Sequence, residues 1–85
     1  MACVPLVLAA CGGERADDMI GSAKKYLEKN DNKAAIIQLK NSLQKSSDSA
    51  EARFLLGKAF FRNSDVVPAS IELRKALEQI GRAHV

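Results

Sequence analysis

The chain has no tryptophan, one tyrosine, three phenylalanines, two cysteines and one histidine in 85 residues. Each shortage removes a class of chemistry. The single histidine, His84, excludes a multi-histidine metal site, and it lies in residues 80–85, which are read as adapter read-through, so it carries no functional weight. Cys3 and Cys11 are not spaced as metal ligands or as a redox pair. Ser46, Ser47 and Ser49 lie in a turn-like cluster with no nearby base to activate them. Gly12-Gly13 precedes no Lys-Ser/Thr, so there is no phosphate-cradling loop. The reading is of a non-enzyme without cofactor or metal, and with no small-molecule substrate. The net charge of +3 is modest. It is also uneven: residues 22–45 carry six lysines against Glu28 and Asp31, while residues 46–79 carry five bases and five acids. A nucleic-acid binder shows a denser basic stripe with aromatics interleaved, so no nucleic acid is expected.

What the chain does have is a period of 34 residues. Shifted by that length, Ala23 meets Gly57, Lys24 meets Lys58 and Tyr26 meets Phe60. Asp31 meets Asp65, Ala35 meets Ala69, Ile37 meets Ile71, Leu39 meets Leu73, and Leu43 meets Leu77. Small falls on small, aromatic on aromatic and aliphatic on aliphatic. A stacked helix pair recurs in this way, because each unit must offer its neighbour the same knobs and gaps.

The spacing predicts four helices. The first runs to about Lys29 with Asp17 or Asp18 as its cap. Asn30-Asp31-Asn32 is a turn and the next cap. The second helix, about Lys33–Lys45, lines up Ala35, Ile36, Leu39 and Leu43 on one stripe. Ser46–Ser49 turns into a third helix, about Ala50–Arg62, burying Leu55, Leu56, Ala59 and Phe60. Asn63-Ser64-Asp65 repeats the earlier turn. The fourth helix, about Val67–Gln79, has Pro68 in its first turn, where a missing N–H is harmless, and faces Ala69, Leu73, Ala76 and Leu77 inward. Lys24 and Glu28 are placed to pair along the first helix.

With units begun at Ala16 and Ala50, the pattern resembles the tetratricopeptide (TPR) repeat over about residues 16–79. Three places in each TPR unit are small because backbones cross there, and here they hold Ala23, Ala35 and Ser42, then Gly57, Ala69 and Ala76. The aromatic place holds Tyr26 and Phe60, the large apolar place Leu39 and Leu73, and Leu56-Gly57 matches the Leu-Gly of the family. The departures are Met19 and Arg53 where a Trp-like residue is usual, Ser22 for Leu, and Ser47 for Pro. The first unit is the more divergent. The resemblance implies an all-α fold, a TPR-type α-solenoid of antiparallel helix pairs with about two repeats: residues 16–49 and an incomplete 50–79. It also implies binding of a protein or extended peptide along a concave face. The positions that point there are Asp17, Ile20, Lys24, Leu27 and Glu28, then Glu51, Phe54, Lys58, Phe61 and Arg62. Of these, Lys24, Leu27, Glu28, Phe54, Lys58, Phe61 and Arg62 are the candidate partner-binding residues. Phe61 between Lys58 and Arg62 suits an acidic or amphipathic segment. The plainer reading is that Phe54 and Phe61 pack on a following repeat while the charges are solvated.

The apolar run Val4–Ala10 is far too short to cross a bilayer. It ends in Leu8-Ala9-Ala10-Cys11, followed by Gly12-Gly13 and a polar stretch. This fits a secretory signal and resembles a bacterial lipobox, which implies a signal peptide over 1–10, a lipidated Cys11, and a linker to residue 15. The absence of Lys or Arg in Met1-Ala2-Cys3 leaves the start of that signal incomplete. A plainer alternative buries Cys11 at a helix start, although Gly12-Gly13 would end such a helix at once. Once Cys3 leaves with the signal and Cys11 is acylated, no disulfide is available. Gly12 is not the Asp that holds such lipoproteins at the inner membrane, which implies the outer membrane, facing the periplasm. The stretches Ala34–Lys45 and Ala50–Ala59, with the Leu-Ala-Ala-Cys-Gly junction, are similar to the N-terminal part of the PrsT-type TPR lipoproteins of the PEP-CTERM/exosortase system. That resemblance implies partners in an envelope or exopolysaccharide-export apparatus.

The last six residues, Ile80–Val85, are what ATC GGA AGA GCA CAC GTC encodes. That string resembles a sequencing adapter, and a stop codon follows it. Residues 80–85 are therefore expected to be read-through, with a natural tail as the alternative. The functional expectation is a lipid-anchored TPR interaction scaffold in the bacterial envelope. The alternatives are the TPR front of a larger envelope enzyme, or a cytosolic TPR adaptor with a mis-assigned start.

Overall fold

The computed structural model describes residues 15–83. Four helices follow one another: α1, Ala16–Glu28; α2, Asn32–Lys45; α3, Ala50–Arg62; and α4, Val66–Ala83. The starts of α1 and α3 are 34 residues apart, as are those of α2 and α4, so the sequence period becomes a structural one. Each helix packs on the next, and α1 also touches α3. The result is two antiparallel pairs, α1–α2 and α3–α4, stacked into a short all-α TPR-type solenoid.

The turn inside each pair is built the same way. After α1 the Asp31 N–H donates to the Tyr26 carbonyl at 2.8 Å, and the Asn30 N–H donates to Leu27 at 3.0 Å. After α3 the Asp65 N–H donates to Phe60 at 2.8 Å, and the Ser64 N–H donates to Phe61 at 3.0 Å. Both are Schellman closures, which use up carbonyls that a helix end leaves without partners. They require a left-handed residue, and Asn30 (φ 63) and Ser64 (φ 69) supply it. Asp31 then opens α2 by accepting the Ala34 N–H, and Ser49 opens α3 by accepting the Ala52 N–H.

Three local expectations are corrected. The residue before α1 is Arg15, with no side-chain cap, and Asp17 and Asp18 sit inside the first turn. There they favour the helix through its dipole and not through a capping bond. The fourth helix does not stop at Gln79 but continues through Ala83. Leu77 does not face inward: it is 70% exposed. Its counterpart Leu43 packs against the core because α3 follows α2, and among the described residues no helix follows α4.

The core joins Ile20, Ala23 and Leu27 of α1 to Ala35, Ile36 and Leu39 of α2, and to Ala52, Leu55, Leu56 and Ala59 of α3. Tyr26, Leu43 and Phe60 cover it partly; Phe60, expected to be buried, is only half-buried. Small residues mark the helix crossings, since backbones approach there. Ala23, Ala35, Ala52 and Ala59 have no exposed surface. Ser42, equally enclosed, donates its hydroxyl to the Ala16 carbonyl at 3.1 Å, so its polar atom is satisfied. Arg53, in place of the usual large aromatic, ties three segments together. Its guanidinium meets Glu72 of α4 at 3.2 Å and donates to the Ser47 carbonyl at 2.9 Å. Gln79 also donates to Ser47.

Candidate interaction groove

The α1 and α3 helices lie side by side and leave a groove of ≈ 430 Å³ lined by Lys24, Leu27, Glu28, Leu55, Lys58 and Arg62. Its floor is apolar. Leu27 and Leu55 are almost wholly buried and belong to the core. Its rim is charged, three bases against one acid. The period places Lys58 one unit after Lys24, and Arg62 one unit after Glu28. The rim is therefore set by the same rule as the fold.

The charges are organised across helices and not along them. Lys24 Nζ lies 2.8 Å from Glu51 Oε2 of α3, in place of the expected Lys24–Glu28 pair. Glu51 leads α3 and α3 packs beside α1, so the lysine reaches across the crossing. Both side chains are more than half exposed, so the contact adds little stability. Arg62 reaches back to α1, donating to the Leu27 carbonyl at 3.4 Å and to Asn30 Oδ1 at 3.3 Å. A cation at a helix C-terminus satisfies terminal carbonyls and complements the dipole. Lys58 forms no ion pair among the described residues.

Five of the residues named from sequence, Lys24, Leu27, Glu28, Lys58 and Arg62, thus share one groove. Leu27 contributes its edge to the floor while its bulk is core, and Ile20 is likewise buried in the core. Phe54 and Phe61 are not part of the groove lining; they stand out from α3, 51% and 63% exposed. Leu55 was missed as a lining residue because its apolar spacing reads equally as core. A second depression, ≈ 490 Å³, lies among α2, α3 and α4 and includes Lys40, Leu43, Phe60, Pro68, Ile71 and Glu72. Sequence reasoning did not find it, since it depends on how α3 holds α2 and α4 on either side of it. Over its wall the Lys40 ammonium sits 5.6 Å from the centre of the Phe60 ring, within cation–π range.

Among the described residues no group of His, Cys, Asp or Glu is gathered as metal ligands would be. No described helix is long and apolar enough to cross a membrane. Cys11 and the expected signal segment lie outside the described residues, as do His84 and Val85.

A family model described as TPR repeat matches residues 23–64. Searches of curated proteins and of solved structures return no match. The match spans the end of α1, all of α2 and α3, the first intra-pair turn and the start of the second. Together with the repeated helix pairs it supports a tetratricopeptide repeat protein. TPR repeats generally mediate protein–protein interaction.

Proposed function

We propose that this chain is a lipid-anchored TPR scaffold of the bacterial envelope. It is exported, held through Cys11 at the outer membrane facing the periplasm, and grips an extended acidic segment of a partner protein in the α1–α3 groove. The partner belongs to an exopolysaccharide-export apparatus of the PEP-CTERM/exosortase kind. The chain is not itself an enzyme. The observation that carries the binding reading is the groove: an apolar floor of Leu27 and Leu55 beneath Lys24, Lys58 and Arg62. Apolar side chains of a bound segment would rest on the floor, and its carboxylates would meet the rim. The anchoring reading rests on the Leu8-Ala9-Ala10-Cys11 junction. A single acyl chain holds a protein to a membrane only weakly, so the several chains of a bacterial lipoprotein matter.

Two experiments test these parts separately. The first titrates the protein with a labelled peptide of alternating leucine and glutamate, and with its lysine counterpart. The acidic peptide is expected to bind, more weakly as salt rises, and about tenfold more weakly to the Lys58→Glu/Arg62→Glu variant. Equal binding of the basic peptide would overturn the groove assignment. The second follows Cys11→Ala through cell fractionation. Loss from the membrane fraction is expected, and a variant that still fractionates with membranes would remove the lipid anchor from the account.

A further inference from the structure

Among the described residues α2 and α4 each pack on α3 and not on one another. The gap between them is the depression of ≈ 490 Å³. One turn of α2 forms one wall, with Lys40, Leu43 and Gln44, and one turn of α4 forms the other, with Pro68, Ile71 and Glu72. Phe60 of α3 lies between them. Leu43, Phe60 and Pro68 are half-buried, and Ile71 is 43% exposed, so the recess keeps apolar surface in contact with water. Covering such surface is favourable. Each wall is about one helical turn long, roughly 5 Å. That is room for one large side chain and not for a helix laid along the gap.

The charges around the recess are unequal. Arg53 and Glu72 are taken up with each other at 3.2 Å, both side chains less than a fifth exposed. Arg53 also holds the Ser47 carbonyl, and the second oxygen of Glu72 has Lys75 at 3.9 Å. Lys40 is different. It forms no ion pair among the described residues. The places one turn to either side of it on α2 hold Ile36, Ile37, Leu43 and Gln44, so its own helix offers it no carboxylate. Its partner is the Phe60 ring, 5.6 Å away, and a ring face attracts an ammonium without neutralising it. The recess is therefore apolar, with one uncompensated positive charge at its edge.

We propose that the α2–α4 recess is a docking pocket for a partner protein that presents a large aromatic side chain with an acidic residue beside it. The ring enters between Leu43 and Ile71 and rests on Phe60 and Pro68. The neighbouring carboxylate meets the Lys40 ammonium, which the Phe60 ring holds in place. A single aromatic set in a pocket carries a large share of the energy of an interface, so a recess one turn long is enough for an anchor. It shares no residue with the α1–α3 groove and requires neither the lipid nor the acidic segment assigned to that groove.

The test uses the 85-residue chain with isotope-labelled amides. The probes are short glycine-serine peptides carrying tryptophan next to glutamate, tryptophan next to lysine, or alanine next to glutamate. The tryptophan–glutamate peptide should shift the amides of Leu43, Phe60 and Ile71 saturably. The other two should bind about tenfold more weakly, one for want of the charge and the other for want of the ring. Lys40→Glu should lose about tenfold for the tryptophan–glutamate peptide and regain it for the tryptophan–lysine peptide. Ile71→Trp, which sets a ring of the chain itself in the recess, should also weaken binding about tenfold. Lys25→Glu makes the same change of charge on an exposed residue that lines neither recess nor groove, and should leave binding unchanged. Circular dichroism checks that each variant keeps its helices. The proposal is overturned by absence of saturable shifts, by equal binding of the two tryptophan peptides, by failure of Lys40→Glu to reverse their order, or by binding indifferent to Ile71→Trp. Concentration-dependent shifts of the same amides in the chain alone would also overturn it, since a second copy would then cover the recess.

Discussion

Ser64 adopts the left-handed backbone of Asn30, one period earlier, at φ 69 against φ 63. Both residues let the following Asp N–H close on a carbonyl five residues back. The shared turn holds the two helices of a unit antiparallel, so this one angle is a condition of the repeat. Asparagine tolerates it, while serine carries a Cβ penalty with less compensation.

Ser64→Gly should therefore stabilise the protein by about 0.5–1 kcal/mol, the larger entropy of an unfolded glycine being outweighed by relief of strain. Asn30→Gly should gain less. Thermal unfolding checks both, and a Ser64→Gly variant that melts lower than the parent would mean that the turn is not as described.

Leu39 and Leu73 share a place in the period, as do Leu43 and Leu77, but burial depends on stacking and not on pattern. Leu39 has no exposed surface and Leu77 is 70% exposed. Leu39→Ala should cost about 2–5 kcal/mol, enough to unfold a domain of this size, whereas Leu77→Ala should fall within about 0.5 kcal/mol of the parent. Chemical denaturation of the two variants separates them. Similar losses would show that α4 is covered.

Gly57 lies against α4 so closely that an added Cβ would sit 2.7 Å from Leu73 Cγ, 2.8 Å from Leu73 Cδ2 and 3.2 Å from the Ala69 carbonyl. Two effects compete in Gly57→Ala. Helix propensity favours alanine by about 1 kcal/mol, and overpacking opposes it by about 1–3 kcal/mol. The clash involves the branch point of Leu73 and a backbone oxygen, so overpacking should win and stability should fall. In a Leu73→Ala background the same substitution should become stabilising. A double-mutant cycle reads that reversal, and additivity would contradict it.

The period made most of the fold legible. Ala23, Ala35, Gly57 and Ala69 fall where backbones cross, and Asn30-Asp31 and Ser64-Asp65 fall in equivalent turns, because small side chains and turn formers have few other uses at fixed spacing. The limits of α3 also follow from sequence, since Ser49 caps it and Asn63-Ser64 closes it. The misreadings share a cause. Leu77 carries an inward pattern that only a following helix would satisfy. Lys24 and Glu28 have the spacing of a helical pair, yet Lys24 is drawn to Glu51 by the α1–α3 crossing. The groove rim could be named from the period, but its lining by Leu55 and the depression beside Lys40 depend on how helices lie together.

Among the described residues there are two helix pairs, fewer than the three or so that a stable array needs, and α4 packs on α3 alone. The parent chain should melt below about 65 °C, with amide exchange fastest in α4. A sharp cooperative transition above that temperature would show that two pairs suffice.

The described chain is a stack of 34-residue units, each packed on its neighbour. The most direct test of this architecture is to append residues 50–83 once more after Ala83, in register, and compare unfolding with the parent. The account predicts a single transition at higher temperature and a steeper dependence on denaturant, because a new unit buries Phe54, Phe61 and Leu77 and joins the cooperative core. An unchanged melting temperature and slope, with the added unit unfolded, would contradict it.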